Sequence, residues 1–324
     1  MNDAETVRRE MNRCGAARRP FLFGVDFELR RGFFVEEPLR DKRLLFAVGN
    51  VTNAETAVAD TCPPPELHIL HSDAEEYARK FRRVREGLLR GDSFLLNLTE
   101  RTPIATNLTP EQIFRYSRAK YKLLFPGRFV CFSPESFVRI QGNKIASYPM
   151  KGTIDAKLPD AERTLMESYK ELCEHYTITD LIRNDLNMVA EEVRVRRFRY
   201  VESIRTLRGE ILQTSSEITG TLSPSWHANI GDLLFRLLPA GSISGAPKPS
   251  TLRIIREAEG IARGYYTGVF GYFDGSTLDS AVMIRFIEEA EGQFYFRSGG
   301  GITINSDEAE EYREVLEKIY LSIP

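Results

Sequence analysis

The chain has 324 residues, 42% hydrophobic and 28% charged, a composition that supports one large globular domain or two smaller ones without metal or disulfide staples. Its 44 basic and 46 acidic side chains leave a formal charge of −2, so no overall field marks it as a binder of nucleic acid or of an anionic membrane. Cys14, Cys62, Cys131 and Cys173 are scattered, form no CxxC pair and read as reduced thiols. No apolar run approaches the roughly 18 residues of a membrane span, and the charged N-terminus is unlike a signal peptide, so a cytoplasmic location is expected.

In chain order, the first 20 residues carry Arg8, Arg9, Arg13, Arg18 and Arg19 without a strong apolar stripe and read as a loosely held end. Short apolar runs at Phe21–Phe27 and Leu44–Val51 predict strands, and Cys62-Pro63-Pro64-Pro65 marks a boundary, which divides the chain into 1–65 and 66–324. The spacing of Tyr77, Phe81, Val84, Leu88 and Leu89 predicts a helix over Asp73–Leu89; Gly91-Asp92 then turns the chain into a strand at Ser93–Leu98. Strands are expected at Phe129–Phe132, Ser136–Ile140 and Lys144–Tyr148, the last two joined by the Gln141-Gly142-Asn143 turn. A long helix follows from about Ala161 to Tyr176, running toward Leu186. Further strands are read at Val193–Val201, Gly268–Phe273, Ala281–Glu288 and Gln293–Ser298, ahead of a terminal helix from about Ser306. Many strands with interspersed helices and no regular βαβ alternation indicate an α+β fold.

Two pairs of carboxylates stand three residues apart on predicted helices, Glu171 with Glu174 and Glu311 with Glu314, so each pair shares a helical face. Such oxygens suit a hard cation such as Mg²⁺, and equally suit a solvated surface. Gly299-Gly300-Gly301 permits close backbone approach to an anion, or a tight turn. The Gly241–Lys248 segment lacks the spacing of a phosphate-binding loop, so ATP is not implied; Pro247 is placed to start a helix through Leu252, Ile255 and Ala258. Lys318 follows Glu314 by four residues and falls on its helical face.

An ordered set of segments joins these features: Gly91-Asp92 through Asn97-Leu98, Ser133-Pro134-Glu135, Pro149-Met150-Lys151-Gly152-Thr153, Asp180 through Asp185, Gly241 through Lys248, and the triple glycine followed by Glu311-Tyr312-Arg313-Glu314. From about Glu66 to Pro324 the set resembles component I of the chorismate-binding family, which includes anthranilate, aminodeoxychorismate, isochorismate and salicylate synthases. The resemblance implies two large, mostly antiparallel sheets packed together with surrounding helices, residues 66–324 forming the catalytic domain and a shortened 1–65 region contributing strands. It also implies Mg²⁺ held by Glu174 and Glu314 with Glu171 and Glu311 in support, and chorismate contacted by Ser244, Tyr266, Arg285, Lys318 and Gly299, Gly300 and Gly301.

Within the family, the Lys151 segment resembles the signature of aminodeoxychorismate synthases, in which the lysine amine attacks C2 of chorismate as the C4 hydroxyl leaves and ammonia then adds at C4. A lysine attacks only when neutral, which burial and neighbouring cations favour. Glu135, 16 positions earlier, is the implied acid/base, because hydroxide leaves poorly without a proton. Leu95 occupies the place where isochorismate and salicylate synthases carry a water-activating lysine. Gln213 stands where family members usually have histidine; it donates a hydrogen bond but transfers no proton. The tryptophan-binding segment of feedback-inhibited members is not recognisable, and a separate glutamine amidotransferase is implied as the source of ammonia. The alternatives are an anthranilate synthase component I and a non-catalytic chorismate-binding protein.

Overall fold

Apolar side chains at every second position need a sheet with one face covered, and continuous apolar runs need both faces covered. The computed structural model, described over residues 2–55, 62–206 and 209–323, pairs these runs into two sheets of ten and nine strands among the described residues. The first sheet runs in the order Asn2–Asp3, Arg31–Glu36, Phe21–Val25, Val269–Phe273, Leu278–Val282, Ser136–Gln141, Lys144–Ser147 and Gly209–Thr221. The last of these is a long strand that pairs with Met150–Asp155 beyond Lys144–Ser147 and with Glu191–Thr206 along its length. The second sheet runs Gly245–Ala246, Leu95–Thr106, Gln293–Ile302, Phe286–Ala290, Phe129–Ser133, Tyr121–Phe125, Leu45–Val48 and Val51–Thr52, with Leu67–Ile69 also on Leu95–Thr106. Pairing is antiparallel in both sheets, as the α+β expectation requires.

Alternation along one strand shows where the core sits. Leu22 packs with Phe46, Tyr121, Leu123 and Phe270 between the sheets. Its neighbours Phe21 and Phe23 point the other way, into a cluster shared with Val7, Met11 and Trp226 under the helices. The whole Phe21–Val25 strand is therefore buried on both faces, which explains its unbroken apolar sequence. The N-terminal region enters both sheets, through Phe21–Val25 and Arg31–Glu36 on one side and Leu45–Val48 and Val51–Thr52 on the other.

Four sequence readings change. The first residues are a capped helix, Ala4–Ala16: Asp3 accepts from Glu5 N at its start, and Ala4, Val7, Met11, Cys14 and Gly15 are buried at helical spacing. Arg8, Arg9 and Arg13 within the helix and Arg18 and Arg19 just after it mask that stripe, but Arg8, Arg13 and Arg19 are held by Glu5 and Asp232, by Glu10 and Glu36, and by Glu36. Gly15 allows the close packing, since a Cβ there would lie 2.1 Å from the His227 carbonyl oxygen. The expected 161–186 helix breaks at Ser168, whose backbone is extended, into Ala161–Glu167 and Tyr169–Asn187. The expected Ala281–Glu288 strand is two strands in different sheets, Leu278–Val282 and Phe286–Ala290, because the chain crosses over at Met283, Ile284 and Arg285 with Arg285 at φ +52°. The triple glycine is no turn: it lies within the Gln293–Ile302 strand, with Gly299, Gly300 and Gly301 opposite Thr99, Leu98 and Asn97.

Met11 is fully buried, so Met11→Ala is expected to lower unfolding free energy by about 2–5 kcal/mol in chemical denaturation. A loosely held end would leave the midpoint unchanged.

Candidate active site

The strand carrying the three glycines lies in the second sheet and the strand carrying Lys151 in the first, and their meeting defines a cleft. Without side chains, the glycine strand leaves room for groups from elsewhere. A Cβ on Gly301 would lie 3.5 Å from Lys151 Nζ and 3.3 Å from Leu95 Cδ1; one on Gly300 would lie 3.3 Å from Glu311 Oε2, 3.9 Å from Lys318 Nζ and 4.0 Å from Glu314 Oε1. The Tyr169–Asn187 helix brings Glu174, whose Oε2 is 3.9 Å from Lys151 Nζ, and the Glu308–Glu317 helix brings Glu311 and Glu314. Glu171 reaches the lysine strand at Gly152, where φ is +70° and a Cβ would lie 2.7 Å from its Oε2. Glycine answers both constraints at that position.

Glu135 follows the Phe129–Ser133 strand and accepts a hydrogen bond from Ser242 Oγ at 2.6 Å. Burial raises its carboxyl pKa, against the opposing pull of that hydrogen bond and of the charges on Lys151, Arg285 and Lys318. These three cations thus face one carboxyl group. Lys318 Nζ donates to Glu314 Oε1 at 2.6 Å and to the Gly299 carbonyl at 2.8 Å, while burial and the charges of Lys151 and Arg285 hold its pKa below the ordinary lysine range. Arg285 Nε donates to the Tyr320 hydroxyl at 3.1 Å, an anchor that the sequence reading did not include.

The four expected metal carboxylates reach the cleft as two pairs. Among the described residues no three His, Cys, Asp or Glu side chains gather into a ready-made cage. Mg²⁺ does not require one, since it takes one or two carboxylates and fills its octahedron with waters and substrate oxygens. The all-oxygen donors at Glu174 and Glu314, each in contact with a lysine ammonium, suit that ion.

Of the remaining expected residues, Ser244 is fully buried and its hydroxyl donates to the Ala240 carbonyl at 2.9 Å, which leaves only its lone pairs for a ligand. Tyr266 lies in the intersheet core beside Phe286, where burial pushes its phenol up to about 12. Gln213 is half-buried in the Gly209–Thr221 strand, paired with Thr153 and Glu202. Its neighbour Thr214, on the opposite face by alternation, is the cross-strand partner of Lys151.

Thr214 leads to a residue the sequence reading missed. Its hydroxyl donates to the Lys151 carbonyl oxygen and lies 3.4 Å from His175 Nδ1, while His175 Nε2 is 2.7 Å from Ser216 Oγ. His175, next to Glu174 on the same helix, is fully buried, and burial together with the charges of Arg199 and Lys151 pushes its pKa down to about 4. A histidine following a candidate metal ligand was the available signal. Because the folded state keeps this imidazole neutral while the unfolded chain protonates near 6.5, stability is expected to fall as pH drops from 6.5 toward 4. His175→Gln should flatten that part of the curve, as read from urea midpoints at pH 7 and pH 4.5.

Residues 35–323 match the chorismate binding enzyme family. An uncharacterized PabA-like protein of Pasteurella multocida is 52% identical over 97% of this chain and 98% of its own length. Aminodeoxychorismate synthase component 1 of Klebsiella aerogenes is 35% identical over 76% of this chain, which spans 56% of that longer protein. The crystal structure of anthranilate synthase component I from Streptococcus pneumoniae superposes with a TM-score of 0.64 at 26% identity, over 79% of this chain and 59% of the other. The chain is therefore a member of the chorismate-binding enzyme family and has its two-sheet α+β fold.

Proposed function

We propose that this protein is an aminodeoxychorismate synthase component I, which replaces the C4 hydroxyl of chorismate with ammonia to give 4-amino-4-deoxychorismate for 4-aminobenzoate and folate synthesis. The observation that carries the reading is the Lys151 amine, half-buried beside Gly301 and within the field of Glu135. Leu95 at the same spot supplies apolar surface where water activation would need a base.

Glu174 and Glu314 would hold Mg²⁺, with Glu171 and Glu311 acting through waters. When bound, the ion supplies positive charge against the ring carboxylate of the substrate. Lys151, which meets Glu174 at 3.9 Å and shares a field with Lys318, presents its amine to the substrate. The neutral amine then bonds to C2, the ring double bonds shift, and the C4–O bond breaks as Glu135 protonates the departing hydroxyl to water. Glu135 can hold that proton because burial raises its pKa. Ammonia from a glutamine amidotransferase partner adds at C4, the double bonds shift back, and Lys151 leaves C2. Arg285, anchored by Tyr320, faces the enolpyruvyl carboxylate, which is retained.

Purified protein is expected to convert chorismate, Mg²⁺ and ammonium into a product that an added aminodeoxychorismate lyase turns into 4-aminobenzoate; anthranilate would assign the other amination, and no product would leave a binding protein. Lys151→Ala should lower the rate by about 10³-fold or more, roughly 4 kcal/mol in barrier, while the variant still binds chorismate. Glu314→Ala should raise the Mg²⁺ concentration needed for half activity by about 10- to 100-fold, measured by metal titration of the initial rate.

A further inference from the structure

Away from the cleft, the second sheet places two arginines directly against each other. Arg101 and Arg297 are cross-strand partners, so their side chains share a face, an arrangement that destabilises a sheet when nothing lies between the charges. One carboxylate serves both: Glu288 Oε1 accepts from Arg101 Nε and lies 3.5 Å from Arg297 Nη1. Arg297 is only 3% exposed, and its Nε has no hydrogen-bond partner. A buried guanidinium donor without an acceptor is costly.

Both arginines line a cavity of about 400 Å³, which Arg128 and Arg263 also line. Arg263 is already matched by Glu259, at 2.6 Å, and the remaining carboxylates on the wall are Glu288 and Glu289. The rest of the lining is largely apolar and aromatic, with Phe129, Ile261, Tyr265 and Phe286. Phe129 and Phe286 stack with centroids 4.7 Å apart. Cationic forks on one side and flat apolar surface on the other are what a small aromatic carboxylate needs, since a guanidinium binds carboxylate in its plane.

We propose that this cavity is a second binding site, separate from the cleft, for a small aromatic carboxylate whose anionic group sits between Arg297 and Arg101. The site does not depend on which reaction the cleft performs. It does border it: the Arg297 guanidinium lies 5.3 Å from the centre of the Tyr266 ring, and Tyr266 feels the charge of Arg285.

Benzoate is the probe. Titrated into the full chain by isothermal calorimetry, it should bind saturably with Kd below about 1 mM, an affinity of roughly 4 kcal/mol. Arg297→Gln and Arg101→Gln should each weaken it at least tenfold, and Arg285→Gln, altered in the cleft, should leave it unchanged. Arg101 is about one-third exposed, so its variant keeps the test meaningful should the buried one misfold. Arg297→Met should melt no lower than the wild type without ligand, whereas an arginine needed only for structure would cost stability. Absence of saturable heat, loss of binding in Arg285→Gln alone, equal affinity for inorganic phosphate, or a lowered melting temperature in Arg297→Met would each overturn the assignment.

Discussion

The cleft is organised by the charges of Lys151, Arg285 and Lys318, all of which act on the buried carboxyl group of Glu135. Each cation is restrained by a different neighbour: Lys151 by Glu174, Lys318 by Glu314 and the Gly299 carbonyl, Arg285 by the Tyr320 hydroxyl. Partly buried like charges repel strongly, so the arrangement is stable only while those partners hold, and it is primed for an anion that brings further negative charge. A substrate with two carboxylates meets that demand.

The restraining groups come from the glycine strand of the second sheet, from two helices distant in sequence and from the C-terminal segment at Tyr320. The Tyr169–Asn187 helix carries Glu171 and, one turn on, Glu174 and His175, so one element supplies oxygen donors to the cleft and a buried imidazole to the sheet beneath. Through Thr214, that imidazole is linked to the backbone of Lys151, which is held by hydrogen bonds as well as by charge. The glycine strand plays the opposite part. It contributes backbone and absence of bulk, so that groups from three other elements converge on Gly300 and Gly301.

Much of this was legible in the sequence where local pattern and final environment agree. The Ala74–Leu89 helix and the Ser136–Gln141 and Lys144–Ser147 hairpin follow their periodicities closely. The failures have physical causes. The Ala4–Ala16 helix hides its stripe behind arginines whose charges are matched by distant acids such as Asp232. Ala281–Glu288 reads as one strand because both of its halves are buried and apolar, and the single charge at the crossing, Arg285, is not enough to break the pattern. Three consecutive glycines suggest a turn by composition, yet the strand's partners set their extended backbone. Tyr320 and Ser242 act through tertiary contacts that no spacing in the sequence reveals, and His175 was signalled only by its place beside Glu174.

The pairing of Phe21–Val25 with Val269–Phe273 sets an order of events for a nascent chain. About 250 residues separate the two halves of that seam, and closing such a loop is among the slowest steps available to a domain of this size. During synthesis, this wholly apolar five-residue strand waits with the Leu22 face and one row of hydrogen-bonding groups unsatisfied until the Val269–Phe273 segment has been made. The Arg31–Glu36 hairpin partner and the N-terminal helix, both available early, shield it in the interval. The opening segment therefore acts as a temporary cover for its own sheet before it becomes part of the finished core.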